Sequence, residues 1–314
     1  MKYPGNKTQD LGDGITKAPL DSWKEVFPLL QSTIFTELPP EEREDGPSIH
    51  LPNYVWRGQR EKFNGLLPSL YRGDHLKEYL TRAGDCHLHY KVIDHLVKFQ
   101  YALRGRCNLD FRRIEEHTND VWALGQEHGL DTPLLDWTTS PYVALYFAFN
   151  ERRPKNKCRD EQNGTSCPPC RYLYGLNRDL IEQKVASLHK VRDHEKEFLG
   201  RYEEESEEAF AEVFEFITPL VHDNPHLISQ NGLFTRLRAV RPIEDWVKDT
   251  FSGYVPTDSP LLYIIKIPDH SRRECLDFLN QWNINHLSLF PDIRGAALNR
   301  NRHFWHGIPG STIP

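Results

Sequence analysis

Apolar residues Trp23, Val26, Phe27, Leu29 and Leu30 recur at helical spacing behind Asp21, which is placed to cap the helix they predict. Residues 1–20 ahead of them are polar and Gly-rich and read as a loose tail, and the acidic, Pro-rich ELPPEEREDGPS reads as an exposed loop. From Tyr54 to Trp56 the chain turns apolar and β-prone and ends in Arg57-Gly58-Gln59, which predicts a short strand with a polar tip. Residues 75–124, rich in Leu, His and Tyr, read as helices. Thr138-Thr139-Ser140-Pro141 puts hydroxyls just before a proline, a helix start, and Val143, Ala144, Phe147 and Ala148 mark that helix's buried face. Residues 150–170 are charged, carry three cysteines and read as an inserted loop. Further strands are expected at Arg171–Leu176, Gly232–Leu237 and Leu261–Ile267. An acidic helix is expected over Asp193–Phe216, with Glu203, Glu204, Glu205, Glu207 and Glu208 on a solvated face, and a last helix over Arg272–Trp282. Helices and strands mix without regular βαβ alternation, so the fold class is α+β, with one domain over residues 21–305 and a tail at 306–314.

Composition narrows the functional classes. The net charge is −6, without the basic excess of a protein that grips nucleic acid over its whole surface. No stretch approaches the ~18 apolar residues of a membrane span. The opening MKYPGNKTQDLGDG has no apolar run of the signal-peptide kind. A cytoplasmic protein with reduced cysteines is expected.

Four ordered blocks resemble the FRG domain family. Trp56-Arg57-Gly58-Gln59 with Leu67-Pro68-Ser69-Leu70-Tyr71-Arg72 is similar to its opening signature, and QEHGLDTPLLDWTTSPYVALYFA (126–148) to its central one. Asn224-Pro225-His226 with Ser229-Gln230-Asn231-Gly232-Leu233-Phe234-Thr235 resembles the third block, and Ser288-Leu289-Phe290-Pro291-Asp292 with Gly295 the closing one. A second resemblance covers three short blocks. YVWRG, TTSPYVALYFA and the Gln230 region look like the Arg, Ser-Thr-Ser and Glu strands of arginine–serine–glutamate ADP-ribosyltransferases, with Gln230-Asn231-Gly232 where those enzymes place the catalytic glutamate. It implies a mixed or antiparallel split β-sheet surrounded by helices, NAD as substrate, and a protein or nucleic-acid acceptor. The FRG resemblance implies a bacterial or phage-linked setting such as a toxin or phage-defence effector. A non-catalytic module that recognises a nucleotide or a partner protein is the alternative, followed by a nuclease working through His128 and Asp136.

Under that resemblance each residue has a chemical role and a plainer one. Arg57 offers a planar fork of donors to the two phosphates of NAD, or pairs structurally with a carboxylate such as Asp136. Gly58 lets a ligand or another backbone approach closely. Ser140, with Thr138 and Thr139, would hydrogen-bond the nicotinamide ribose and steady Arg57, or simply cap a helix. His128, in a loop with Gly129 and Thr132, is an acid–base candidate or a structural hydrogen-bonder. Asp136 needs an arginine partner, Arg57 or Arg72, and is the nearest carboxylate to replace the missing glutamate. Gln59, Arg72 and Thr132 join the nucleotide-binding set, Gln230 positions ribose hydroxyls, and Phe234 is core or a nicotinamide platform. Cys158, Cys167 and Cys170 would form a structural zinc site only with a fourth ligand such as His189 or His194.

Overall fold

The computed structural model describes residues 8–34, 36–37, 49–50, 53–63, 65–73, 88, 90–106, 118–151, 169–187, 214–219, 225–254 and 260–306. Ten strands are placed: β1 (Gln9–Asp10), β2 (Ile15–Pro19), β3 (Thr36–Glu37), β4 (Ile49–His50), β5 (Tyr54–Gln59), β6 (Leu134–Thr138), β7 (Cys170–Asn177), β8 (Phe214–Ile217), β9 (Gly232–Leu237) and β10 (Leu262–Pro268). Eight form one sheet in the order β1-β2-β10-β7-β5-β6-β9-β8, antiparallel except where β10 runs parallel to β2, and β3 pairs with β4 separately. With helices packed on it, the chain is an α+β protein built on a mostly antiparallel open sheet.

The centre of this sheet is nearly divided. β5 pairs with β7 from Tyr54 to Gln59, and β6 pairs with β9 from Leu134 to Thr138. Between β5 and β6 the register holds at one pair, Trp56 opposite Thr138. Beyond it, towards Arg57 and Asp136, the two strands part, so their backbone groups there need other partners.

Side-chain alternation on β5 sorts the two faces. Tyr54 and Trp56 are buried on one face with Val143, Ala144, Leu145 and Phe149 of the helix over them. Val55 joins Leu66, Leu135, Trp137, Tyr174 and Trp246 on the other. The covering helices are α1 (Val26–Ile34), α2 (90–102), α3 (Thr118–Glu127) and α4 (Pro141–Asn150). Ser140 caps α4 by accepting from the Val143 N–H, with Pro141 following as expected. α4 is apolar on nearly every side because it is sandwiched: Ala144, Leu145, Ala148 and Phe149 are fully buried.

Three expectations are corrected. Residues 9–19 are not a loose tail: β1 and β2 extend the sheet, and Ile15 is wholly buried against it. The cap at the start of the first helical segment is Ser22, accepting from the Lys24 N–H, while Asp21 uses its own N–H on Glu25. Phe214, Glu215 and Phe216 belong to β8 rather than to the end of an acidic helix; Phe214 stacks on Trp246 at 4.5 Å. The remainder of that expected helix, with its glutamate run, and residues 152–168 with Cys158 and Cys167 lie outside the described residues, as do His189, His194 and residues 307–314. Cys170 is buried and opens β7.

Glu244, at the start of the helix Ile243–Thr250, is held away from solvent and accepts from the Leu66 N–H at 2.9 Å. Burial is the main cause that raises its pKa, partly offset by that hydrogen bond. A carboxyl that binds its proton more tightly folded than unfolded costs stability as pH rises above its ordinary value of about 4.3. Glu244→Gln keeps the acceptor and removes the titration. The stability advantage of the variant over wild type should therefore widen between pH 4 and pH 7 in urea unfolding; a gap that stays constant would refute the assignment.

Candidate functional site

Arg57 fills the notch where β5 and β6 part. Its Nη1 donates to the Asp136 main-chain carbonyl at 2.7 Å and lies 3.3 Å from Asp136 Oδ2. The guanidinium thus takes over an acceptor that the ladder has released. Its side chain is 15 % exposed, whereas that of Asp136 is 61 % exposed. The charge is sunk in the protein and the carboxylate stands at the surface of the notch. An ion pair exposed on one side adds about 0–1 kcal/mol, so its stability value is small. What it supplies is orientation.

A second donor fixes the same carboxylate. Gln126, in the last turn of α3, donates from Nε2 to Asp136 Oδ1 at 2.6 Å. Its Oε1 accepts from the Thr132 hydroxyl, and that hydroxyl also accepts from the Leu134 N–H, so the amide's orientation is set. Thr132 is fully buried and keeps Gln126 in place from beneath. Both carboxylate oxygens of Asp136 are therefore held, one by an amide and one by a guanidinium.

Arg72 brings a second positive charge to this group. Its Nε donates to the Leu67 carbonyl at 2.8 Å. The protein packed around its stem and the nearby charge of Arg57 push the guanidinium pKa down, while Asp136 and Asp131 oppose the shift. Two guanidiniums and the carboxylates of Asp136 and Asp131 thus share one neighbourhood, with Arg57 and Arg72 as the groups there suited to an anion.

Unsatisfied polar atoms lie beside them. Gln59, on the same face of β5 as Arg57, is 4 % exposed, and among the described residues neither its amide nitrogen nor its carbonyl oxygen has a hydrogen-bond partner. Arg57 Nε is likewise buried without a partner among the described residues. Buried polar groups of this kind are commonly satisfied by water or another bound group.

The other candidates are placed elsewhere or used otherwise. The close approach that Gly58 permits is that of α4: a Cβ there would lie 1.8 Å from the Ala144 carbonyl oxygen. Thr138 donates its hydroxyl to the Gln230 carbonyl at 2.7 Å and accepts from the Ser140 N–H. Thr139 donates its N–H to the Asn231 carbonyl. Gln230 donates from Nε2 to the Leu289 carbonyl at 3.1 Å. These residues form a second set that ties β6, β9 and the closing segment together, and among the described residues no hydrogen bond links Ser140 to Arg57. Asp136, not Ser140, steadies Arg57. Phe234 is core, packed with Trp122, Leu134 and Ile217. His128 lies exposed in the turn after α3. Among the described residues no group of three His, Cys, Asp or Glu side chains is arranged to hold a metal ion, and no helix is long and apolar enough to cross a membrane.

Sequence reading missed Gln126 as the residue that orients Asp136, and missed an ionic group formed by Glu127, His226 and Asp292. Those residues come from three separate blocks, so no local spacing joins them.

The fold and notch define an α+β sheet protein with an arginine–carboxylate cluster where its central strands part. The family model of the FRG domain matches residues 52–157, from just ahead of β5 past the end of α4, and so takes in Arg57, Gln59, Arg72, Gln126 and Asp136. That match covers about a third of the chain. No curated protein and no solved structure matches it.

Proposed function

We propose that the notch binds a dinucleotide of the NAD type and that the protein is an ADP-ribosyltransferase-like enzyme. The observation that carries this reading is the arrangement of Arg57, Arg72 and Asp136: two guanidiniums near an exposed carboxylate whose oxygens are both held. Arg57 and Arg72 would engage the diphosphate, since guanidinium forks match phosphate oxygens. The unpartnered Gln59 amide and Arg57 Nε supply further polar groups for the ligand.

Cleavage of the bond between nicotinamide and ribose develops positive charge on the ribose carbon. A preorganised carboxylate stabilises such a state, as in glycoside hydrolysis. Asp136 is the group available for that work, in place of a glutamate near Gln230. Transfer to a protein or nucleic-acid acceptor, or to water, completes the reaction.

The second reading is a nucleotide- or partner-binding module without turnover. It is favoured by the use of Ser140 as a helix cap and of Gln230 as a donor to the Leu289 carbonyl, structural roles that need no ribose.

Calorimetric titration with NAD, together with nicotinamide release, separates the two. Binding should weaken about tenfold in Arg57→Ala and again in Arg72→Ala, roughly 1.4 kcal/mol each. Binding with no nicotinamide release selects the second reading. Equal affinity in wild type and both variants removes the notch as the site.

A further inference from the structure

His226 stands where three segments of the fold meet. Its Nδ1 lies 3.1 Å from Glu127 Oε1, at the end of α3. Its Nε2 lies 3.1 Å from Asp292 Oδ2, just ahead of the helix Ile293–His306. The ring packs edge-on against Phe290 with centroids 5.5 Å apart, and Phe290 meets Phe147 of α4 at 6.1 Å. The histidine is 24 % exposed, and Glu127 is 19 % exposed.

Both ring nitrogens face carboxylate oxygens, so both contacts are hydrogen bonds only when both nitrogens carry protons. The imidazolium then bridges two negative groups. Glu127 occupies the last residue of α3, where the helix carbonyls disfavour negative charge. Asp292 is anchored from its other side by the Gly295 N–H. That hydrogen bond, with the charges of His226 and Arg294, holds its carboxyl below the usual range. The bridge therefore runs from a fixed helix start, through His226, to the end of α3.

That end of α3 matters because Gln126 is the residue before Glu127. Gln126 is the amide that holds Asp136 Oδ1 and accepts from Thr132. A helix terminus frays unless something ties it down, and the turn that follows is secured by the Leu130 N–H on the Gly125 carbonyl. Loss of the bridge loosens the turn that aims Gln126. Asp136 would then keep only Arg57.

We infer that His226 is a positioning residue for Asp136, acting through Glu127 and Gln126 by clamping the last turn of α3 to the closing segment. The functional consequence rests on the reading of Asp136 as the reacting carboxylate; the clamp itself does not. Its occupants are this chain's own residues, and no ligand is needed to form it.

Hydrogen exchange and kinetics on the full chain test the two parts separately. In His226→Gln, exchange at the His128, Gly129 and Leu130 amides should rise about tenfold, while that of β9 stays unchanged. Nicotinamide release should fall about tenfold in kcat with KM for NAD unchanged, because orientation and not binding is lost. His226→Arg, which supplies a permanent charge and more than two donors, should restore both. Unchanged exchange in a folded His226→Gln protein overturns the clamp. Raised exchange with an unaltered kcat overturns the positioning role. If wild type releases no nicotinamide, the enzyme reading fails and exchange alone decides the clamp. Should His226→Gln not fold, Glu127→Gln carries the same measurements with the same deciding outcomes.

Discussion

Gly58→Ala is expected to destabilise the protein by about 3 kcal/mol or more, at the upper end of what overpacking costs. A Cβ at this position would sit 1.8 Å from the Ala144 carbonyl oxygen and 2.5 Å from the Ala148 backbone nitrogen. Both atoms belong to the α4 main chain, so no side-chain rotation relieves the clash. α4 would have to lift, yet Ala144 and Ala148 are fully buried and Trp56 lies beneath the same helix. Lifting it would open space over Trp56, adding a cavity cost to the steric one. Gly73 supplies the control, since a Cβ there meets nothing within 4 Å and its φ is not positive. Gly73→Ala should stay within about 0.5 kcal/mol of wild type. Urea unfolding of both variants decides the matter: a Gly58→Ala protein as stable as the Gly73→Ala one would mean that α4 does not rest on β5 as described.

This contact also explains how much of the fold was legible. Trp56-Arg57-Gly58 and Thr138 to Ala148 announce a strand and a capped helix by composition alone, because each element's apolar face is complete within a few residues. β7, β9 and β10 are readable for the same reason. β2 is not, since Ile15-Thr16-Lys17-Ala18-Pro19 is short and holds only one large apolar residue. Its strand character comes from pairing with β10, a partner distant in the chain. β8 was hidden in a similar way. Phe214-Glu215-Phe216-Ile217 alternates, but it follows a glutamate run whose composition favours helix.

For the site, pairwise chemistry was legible and geometry was not. A carboxylate behind two leucines suggested a buried group in need of an arginine; Asp136 does meet Arg57, but its side chain is 61 % exposed, so burial is not what pairs them. Nothing in the sequence shows that β5 and β6 separate after one register pair, which is what gives Arg57 its notch. The cap at Ser140 was one of the two roles its place before Pro141 offered, but spacing could not foretell that Gln230 would donate to the Leu289 carbonyl. His226 and Asp292 stand in the third and closing blocks, but only the fold shows that they meet Glu127.

Asp136→Asn should lower nicotinamide release by about 10²–10³-fold while leaving the fold nearly unperturbed, the range seen when one preorganised electrostatic group is removed. The asparagine is almost isosteric, and its one remaining carbonyl oxygen can still accept from either Gln126 or Arg57. Because the aspartate is 61 % exposed, the ion pair it forms contributes about 0–1 kcal/mol, so unfolding should shift little. NAD affinity should hold or rise slightly, since Arg57 and Arg72 lose a competing negative charge and become freer for phosphate. The expected signature is therefore a fall in kcat without a rise in KM, opposite in kind to that of Arg57→Ala. Arg57→Ala removes the phosphate fork and the donor to the Asp136 carbonyl together, and should weaken binding first. An Asp136→Asn protein that releases nicotinamide at the wild-type rate would leave the carboxylate a tether for Arg57, and the chemistry would then have to be sought away from the notch.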